Sequence, residues 1–206
     1  MHHDAKKADV LDPRLLERQA KVLHPGGWAV EGERPLATVL GSCVAVCLHD
    51  PRQQLSGMNH FMLPQRHHAH TLPEDHDTVL AGDYAMEVLV NAMMARGCRK
   101  QHLQAKAFGG GTVVHSLHTM IGENNARFAQ NWLRREGIPL LAEDLGGPWS
   151  RKVIALPNGD VFCRRLSAQT EVLEPALEQV LEQEWRWQED QGRAAPASKT
   201  KNIELF

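Results

Sequence analysis

The chain has 206 residues, a hydrophobic fraction of 42% and a formal net charge of −2. This length suits one domain with extensions. The near-neutral net charge argues against a protein that binds nucleic acid or anionic lipid through a strongly positive surface. No apolar run reaches the length of a membrane span and the polar N-terminus lacks a signal peptide, so we expect a cytoplasmic protein without membrane insertion. Its four scattered cysteines should then be reduced.

The N-terminal part of the sequence predicts one helix and one short strand. Asp12 before Pro13 is typical of a helix start, and the apolar positions that follow predict a helix running towards Val22. A His-Pro-Gly-Gly turn at residues 24–27 follows it. Residues 28–30 then predict a strand.

Residues 37–64 contain the side chains best suited to chemistry. Apolar runs at residues 39–40, 44–48 and 61–63 predict three strands separated by turns. The turn Gly41-Ser42 comes directly before Cys43, and the polar residues 49–54 connect the second run to the third. A return of the chain at this connection would bring Cys43 beside His60, which opens the third run.

The middle of the sequence predicts a histidine-bearing loop, a helix and a glycine turn. Residues 65–77 hold irregularly spaced histidines that we interpret as part of an exposed loop rather than a metal site: His67, His68, His70 and His76. Apolar residues recurring at three and four predict a helix over residues 80–96. A strand over residues 103–108 leads into Gly109-Gly110-Gly111, which either lines a pocket or simply turns the chain. The motif of a phosphate-binding loop is incomplete there.

The second half predicts further helices and strands joined by turns. A helix covers residues 126–133, a strand covers residues 138–142, and a hairpin pairs residues 152–156 with 161–166. Helices and hairpin-joined strands in this mixture predict a mixed α/β layer fold. Beyond residue 167 the composition changes to an acidic helix with one apolar stripe, a linker and a short apolar end.

Cys43 and His60 together would supply the nucleophile and the base that catalysis by a thiol requires. A neighbouring imidazolium would stabilise the Cys43 thiolate and lower the pKa of the thiol, then donate its proton to a leaving amine. Backbone N–H groups at Ser42 and Cys43 can meet at a developing oxyanion. The hydroxyl of Thr38 can orient the imidazole or polarise the substrate.

Two other interpretations of the same residues stay open. A cysteine among alternating apolar residues is commonly a small buried core residue. A zinc site built from Cys43, Cys47, His49 and His60 is the other alternative, although the close cysteine pair of usual zinc sites is missing.

The order of several distinctive motifs resembles the CheD family of chemoreceptor glutamine deamidases. The resemblance covers most of residues 20–166 and is carried by HPGGWAV, TVLGSCVAVCLHDP, GMNHFMLP, AKAFGGG, IGENNARF and EDLGGPWSRKV. It implies a mixed-sheet α/β sandwich that converts glutamine side chains of methyl-accepting chemoreceptors to glutamate. Carried over by position, Cys43 matches the family's nucleophile, His60 its general base and Thr38 its third catalytic residue, with Ala37 in the neighbouring slot.

The resemblance further implies that neither a metal nor an organic cofactor is needed, and that a CheC-type phosphatase is a possible partner. We expect an N-terminal extension at residues 1–19, the deamidase domain at 20–167 and a tail at 168–206. The tail is expected to tune encounters with receptors or a partner and to take no part in bond breaking. A non-catalytic adaptor and a cysteine amidase for small molecules remain the competing functions.

Overall fold

The computed structural model describes residues 13–63, 76–112, 121–166 and 175–193. Within these ranges lie four α-helices: α1 (Pro13–Gln19), α2 (His76–Ala95), α3 (Ile121–Arg135) and α4 (Pro175–Arg193). The strands are β1 (Lys21–Val22), β2 (Trp28–Glu31), β3 (Leu36–Leu40), β4 (Val44–Asp50), β5 (Leu55–Asn59), β6 (Gln104–Gly109), β7 (Leu140–Leu145), β8 (Ser150–Ala155) and β9 (Val161–Leu166). Of the helices described, none is long and apolar enough to cross a bilayer.

The strands form two sheets, each with parallel and antiparallel pairs. The four-stranded sheet has the order β1-β3-β8-β9 and the five-stranded sheet the order β2-β5-β4-β6-β7. In the first, β1 runs parallel to β3; in the second, β6 runs parallel to β7; the remaining neighbours are antiparallel. The predicted mixed α/β sandwich is confirmed.

Three buried clusters show how the layers stack. Helices α2 and α3 pack on one face of the five-stranded sheet, and the other face of that sheet packs on the four-stranded sheet. Helices α1 and α4 cover the outer face of the four-stranded sheet. The molecule is therefore a helix–sheet–sheet–helix stack, in which the strands β3, β4, β5 and β8 are buried on both faces and the edge strands β7 and β9 are partly exposed.

Strand β4 shows how the sequence divides between these layers. Val44, Val46 and Leu48 face α2 and α3, whereas Ala45 and Cys47 face the other sheet. Successive side chains of a strand point to opposite faces, so an unbroken apolar run is what a central strand between two apolar layers requires.

The link between β3 and β4 crosses from one sheet to the other. Strand β3 belongs to the four-stranded sheet and β4 to the five-stranded sheet, so the connecting residues Gly41-Ser42-Cys43 lie where the two sheets meet. We call these three residues the cysteine loop. The turn predicted at Gly41-Ser42 therefore joins two layers.

Several predicted boundaries were wrong. Helix α1 ends at Gln19, and the residues that were expected to continue it form β1 beside β3. The third strand of the central stretch is β5, and Phe61 makes only an isolated bridge with Val44. Strand β7 runs from Leu140 to Leu145, whereas the strand was predicted over residues 138–142. Residues 64–75, which carry three of the four loop histidines, lie outside the described residues.

The predicted C-terminal helix packs on the domain. Leu177 and Val180 of α4 are buried, and α4 contacts β3. Leu177 lies in one cluster with Ala37 and Val39 of β3. The linker was predicted over residues 191–200, but α4 continues to Arg193; residues 194–206, with the rest of the linker and the apolar end, lie outside the part of the chain that the structure describes.

Candidate active site

The glycine turn after β6 fixes the cysteine loop. The N–H of Gly110 donates to the carbonyl oxygen of Cys43 over 2.7 Å, and the N–H of Gly111 donates to the carbonyl oxygen of Gly41 over 2.7 Å. Gly109 has a φ of 110°, and a Cβ at this position would collide with the Cys43 carbonyl. The glycines are needed because another backbone approaches closely, so this turn supports the loop that carries Cys43.

Asn125 connects the cysteine loop to the segment after His60. Its side-chain Nδ2 donates to the carbonyl oxygen of Ser42 over 2.8 Å, and its Oδ1 accepts from the N–H of Leu63 over 2.9 Å. Asn125 is fully buried at the start of α3. Sequence reasoning did not single out this residue, although it lies in the IGENNARF motif, because an asparagine near a helix start is more often a cap.

Cys43 and His60 lie on two backbone segments that meet at an antiparallel bridge. Val44 and Phe61 exchange two hydrogen bonds of 2.9 Å there, so Cys43 and His60 flank the bridge at opposite ends. His60 itself pairs with the turn at residues 24–27, donating its N–H to Gly27 and accepting from Gly26. The expected meeting of Cys43 and His60 is present in their side chains, because Sγ of Cys43 and a ring nitrogen of His60 lie within 4.8 Å of each other.

Thr38 holds the imidazole of His60 from the other sheet. Thr38 shares the inward face of β3 with Leu36 and Leu40, whereas Ala37 points to the α1 and α4 side. Oγ1 of Thr38 donates to the carbonyl oxygen of Leu23 over 2.8 Å and lies 2.8 Å from Nδ1 of His60.

This hydrogen-bond chain defines the tautomer of His60. A threonine hydroxyl has one proton, and Thr38 gives it to Leu23, so Oγ1 must accept from the imidazole. Nδ1 therefore carries the proton, and Nε2 has the lone pair that a base needs. Nε2 is buried and makes no hydrogen bond within the described residues.

The third side chain at the site comes from α4. Glu184 is fully buried, and its carboxylate accepts from the N–H of Gly41 through Oε2 and from the N–H of Cys43 through Oε1, each over 2.8 Å. Oε2 lies 3.8 Å from Nε2 of His60. The expected pair of loop N–H donors therefore exists, but it comprises Gly41 and Cys43 rather than Ser42 and Cys43.

Electrostatics in this arrangement oppose an ion pair between Cys43 and His60. Burial, followed by the nearby Glu184 carboxylate, raises the pKa of the Cys43 thiol well above its ordinary value. Burial lowers the pKa of His60 to about 3. Both groups are therefore neutral near pH 7 with Glu184 in place, and the predicted lowering of the thiol pKa by an imidazolium is wrong for this state.

A metal ion has one candidate site in the described part of the chain. Cys43, His60 and Glu184 each offer a ligand atom, and these atoms lie within 4.8 Å of one another. The four-residue zinc site considered from the sequence does not form, because His49 binds Leu55 and Ser56 through Nδ1 and packs its ring against Gly159.

Comparison with known proteins identifies the family of this chain. The family model described as CheD chemotactic sensory transduction matches residues 62–165. A relative from Dechloromonas aromatica, named probable chemoreceptor glutamine deamidase CheD 2, is 51% identical over 95% of this chain and 98% of its own length. The chain belongs to the CheD family.

Other relatives have the same kind of name. A probable chemoreceptor glutamine deamidase CheD from Bordetella petrii is 46% identical over 79% of this chain and 74% of its own length. A protein from Burkholderia thailandensis, also named probable chemoreceptor glutamine deamidase CheD 2, is 40% identical over 94% of this chain and 96% of its own length.

Proposed function

We propose that this chain is a protein-glutamine glutaminase that converts glutamine side chains of methyl-accepting chemoreceptors to glutamate and releases ammonia. The observation that carries the proposal is a carboxylate held by two N–H groups of the cysteine loop, beside Cys43 and His60. A carboxylate is the product group of this reaction. The names of the relatives supply the substrate class.

The first half of the reaction forms a thioester. Nε2 of His60 takes the proton of the Cys43 thiol, and the sulfur attacks the carboxamide carbon. The substrate oxygen becomes an oxyanion, and the N–H groups of Gly41 and Cys43 are the donors in place to stabilise it. The imidazolium then returns its proton to the amide nitrogen, and ammonia leaves.

The second half restores the thiol. Nε2 of His60, again neutral, removes a proton from water, and the hydroxide attacks the thioester carbon. Collapse of the second tetrahedral intermediate expels the Cys43 sulfur, which recovers a proton from His60, and leaves a glutamate side chain. Thr38 keeps Nδ1 protonated throughout, because its own proton is committed to Leu23.

The catalytic roles of Cys43, His60 and Thr38 belong to this proposal, as does a cytoplasmic location with receptor cytoplasmic domains as substrate. Interaction with a CheC-type phosphatase remains an expectation from the family. No step above requires a metal, so stoichiometric metal in the purified chain, lost from the Cys43→Ala variant, would favour the metal interpretation instead.

Mass spectrometry of receptor fragments tests the proposal. Purified full-length chain is incubated with receptor cytoplasmic fragments, and each converted glutamine should add about one mass unit as the amide nitrogen is replaced by oxygen. Cys43→Ala should abolish the conversion, whereas Cys47→Ala is a matched control in the same buried layer. Receptor binding without any mass change would favour the adaptor, and ammonia release from free glutamine alone would favour the small-molecule amidase.

A further inference from the structure

The placement of Glu184 on α4 is unusual for a surface helix. Leu177, Val180 and Glu184 recur at three and four residues, so they share one helical face. The first two are buried against the four-stranded sheet, and Glu184 continues that buried face to the end of β3, where the cysteine loop begins. Burying a carboxylate is costly unless it is hydrogen-bonded, and here the cysteine loop supplies the donors.

The contacts of the Glu184 carboxylate correspond to those of a reaction product. Hydrolysis of a glutamine leaves one oxygen from the amide and one from water. Oε1 accepts from the N–H of Cys43, one of the two donors proposed for the former amide oxygen. Oε2 accepts from the other donor, the N–H of Gly41, and lies 3.8 Å from Nε2 of His60, the base that activates water in the proposed mechanism. A carboxylate, with two acceptor oxygens, satisfies both loop donors at once.

Occupation of these donors excludes a role for Glu184 as an orienting residue during the reaction. The N–H groups of Gly41 and Cys43 cannot stabilise a substrate oxyanion while they bind the Glu184 carboxylate. The orienting position on the imidazole, Nδ1, is already taken by Thr38. Glu184 must therefore leave before a substrate carboxamide enters.

We propose that α4 is an intramolecular mimic of the product, seated by Glu184 in the glutamine pocket, and that the groove it covers is where a substrate helix docks. This inference rests on the proposed function. A receptor helix must displace α4 to present its glutamine, so the chain's own helix competes with the substrate. The same seating makes position 184 a reactive position: a glutamine placed there lies against the thiol and the imidazole.

The Glu184→Gln variant of the full-length chain tests this inference. The Cys43 thiol attacks the carboxamide carbon of residue 184, ammonia leaves, and water hydrolyses the thioester, so the chain should deamidate itself and regain a glutamate. Peptide mass mapping should show a gain of about one mass unit at position 184. Gln183, which is exposed and bonded to His24, is the internal control and should stay unchanged.

Two comparisons separate the possible results. The double variant Cys43→Ala, Glu184→Gln should keep its glutamine, and the rate in the single variant should not change on dilution because the reaction is intramolecular. A glutamine that persists at position 184, while wild-type chain converts receptor glutamines, would overturn this inference and leave the proposed function intact. If neither position 184 nor receptor glutamines are converted by these proteins, both the inference and the proposed function are wrong.

Discussion

Thr38 and His60 are joined by a 2.8 Å contact between Oγ1 and Nδ1, although Thr38 lies on the four-stranded sheet and His60 follows a strand of the five-stranded sheet. The contact determines which imidazole nitrogen is free to act as a base. Both side chains are fully buried, so the proposed catalytic histidine is shielded from bulk water while Glu184 occupies the site.

Burial of His60 should make the free energy of unfolding depend on pH. The pKa of His60 falls from 6.5 to about 3 in the folded chain, so between these values the unfolded chain binds more protons. Stability should therefore decrease as pH falls through that window, by at most about 1.4 kcal/mol per pH unit from this group. Urea unfolding of wild type and His60→Gln at several pH values measures the difference in slope. An identical slope in the two proteins would contradict the prediction.

Thr38→Val should weaken catalysis by removing the acceptor that holds Nδ1–H. The loss of one hydrogen bond, about 0.5–1.5 kcal/mol, corresponds to a decrease in turnover of up to about tenfold. Thr38→Ser retains the hydroxyl and is the matched control. Receptor deamidation rates measured across pH would show the effect, and equal rates for Val and Ser at position 38 would remove Thr38 from the mechanism.

Glu184→Ala should expose the site and activate the thiol. Because Glu184 contributes to the raised pKa of Cys43, its removal should increase the thiolate fraction, and it also frees the two loop N–H groups. We expect faster alkylation of Cys43 by iodoacetamide and faster receptor deamidation than in wild type. Glu182→Ala, at an exposed position of the same helix, is the control. Slower deamidation in Glu184→Ala would instead indicate that Glu184 serves catalysis.

Asn125→Ala should destabilise the chain and disorganise the site. It removes the hydrogen bonds to Ser42 and Leu63, a loss of about 1–3 kcal/mol in the free energy of unfolding. Deamidation should fall as well, because the two backbone segments that carry Cys43 and His60 lose their connection. Asn124→Ala is the neighbouring control, because the side chain of Asn124 accepts a hydrogen bond from Arg127 one turn along the same helix. Thermal melts and receptor deamidation report the two effects separately.

The sequence predicted most of the secondary structure but not the position of its third central strand. Apolar residues at 61–63 suggested a strand there, whereas the strand forms over Leu55–Asn59, which contains Ser56, Gly57 and Asn59. Gly57 lies against side chains of α2, where a Cβ would meet Leu89 and Met93. Packing against α2 determined where this strand forms, and the β-sheet propensities of its residues alone did not indicate that position.

The site itself was predictable only in part. Cys43, His60 and Thr38 were recognised from local chemistry and from family motifs, and the structure brings all three together. Glu184 was missed, because a glutamate on an acidic helix is usually solvated and no local pattern shows that its helix will cover a buried loop. Its role depends on packing between segments far apart in the sequence.

Because the cysteine loop connects the two sheets, the site needs residues from both of them. A fragment that begins at Cys43 and ends with β7 would carry Cys43 and His60 but not Thr38, which lies on β3. If the five-stranded sheet alone were moved into another scaffold, the imidazole would lack Thr38 and its tautomer would not be fixed. The site would also lack the N–H donor of Gly41, which precedes the cysteine in the chain. Engineers who wish to move this chemistry must carry both sheets, and thermal inactivation should coincide with separation of the sheets from each other.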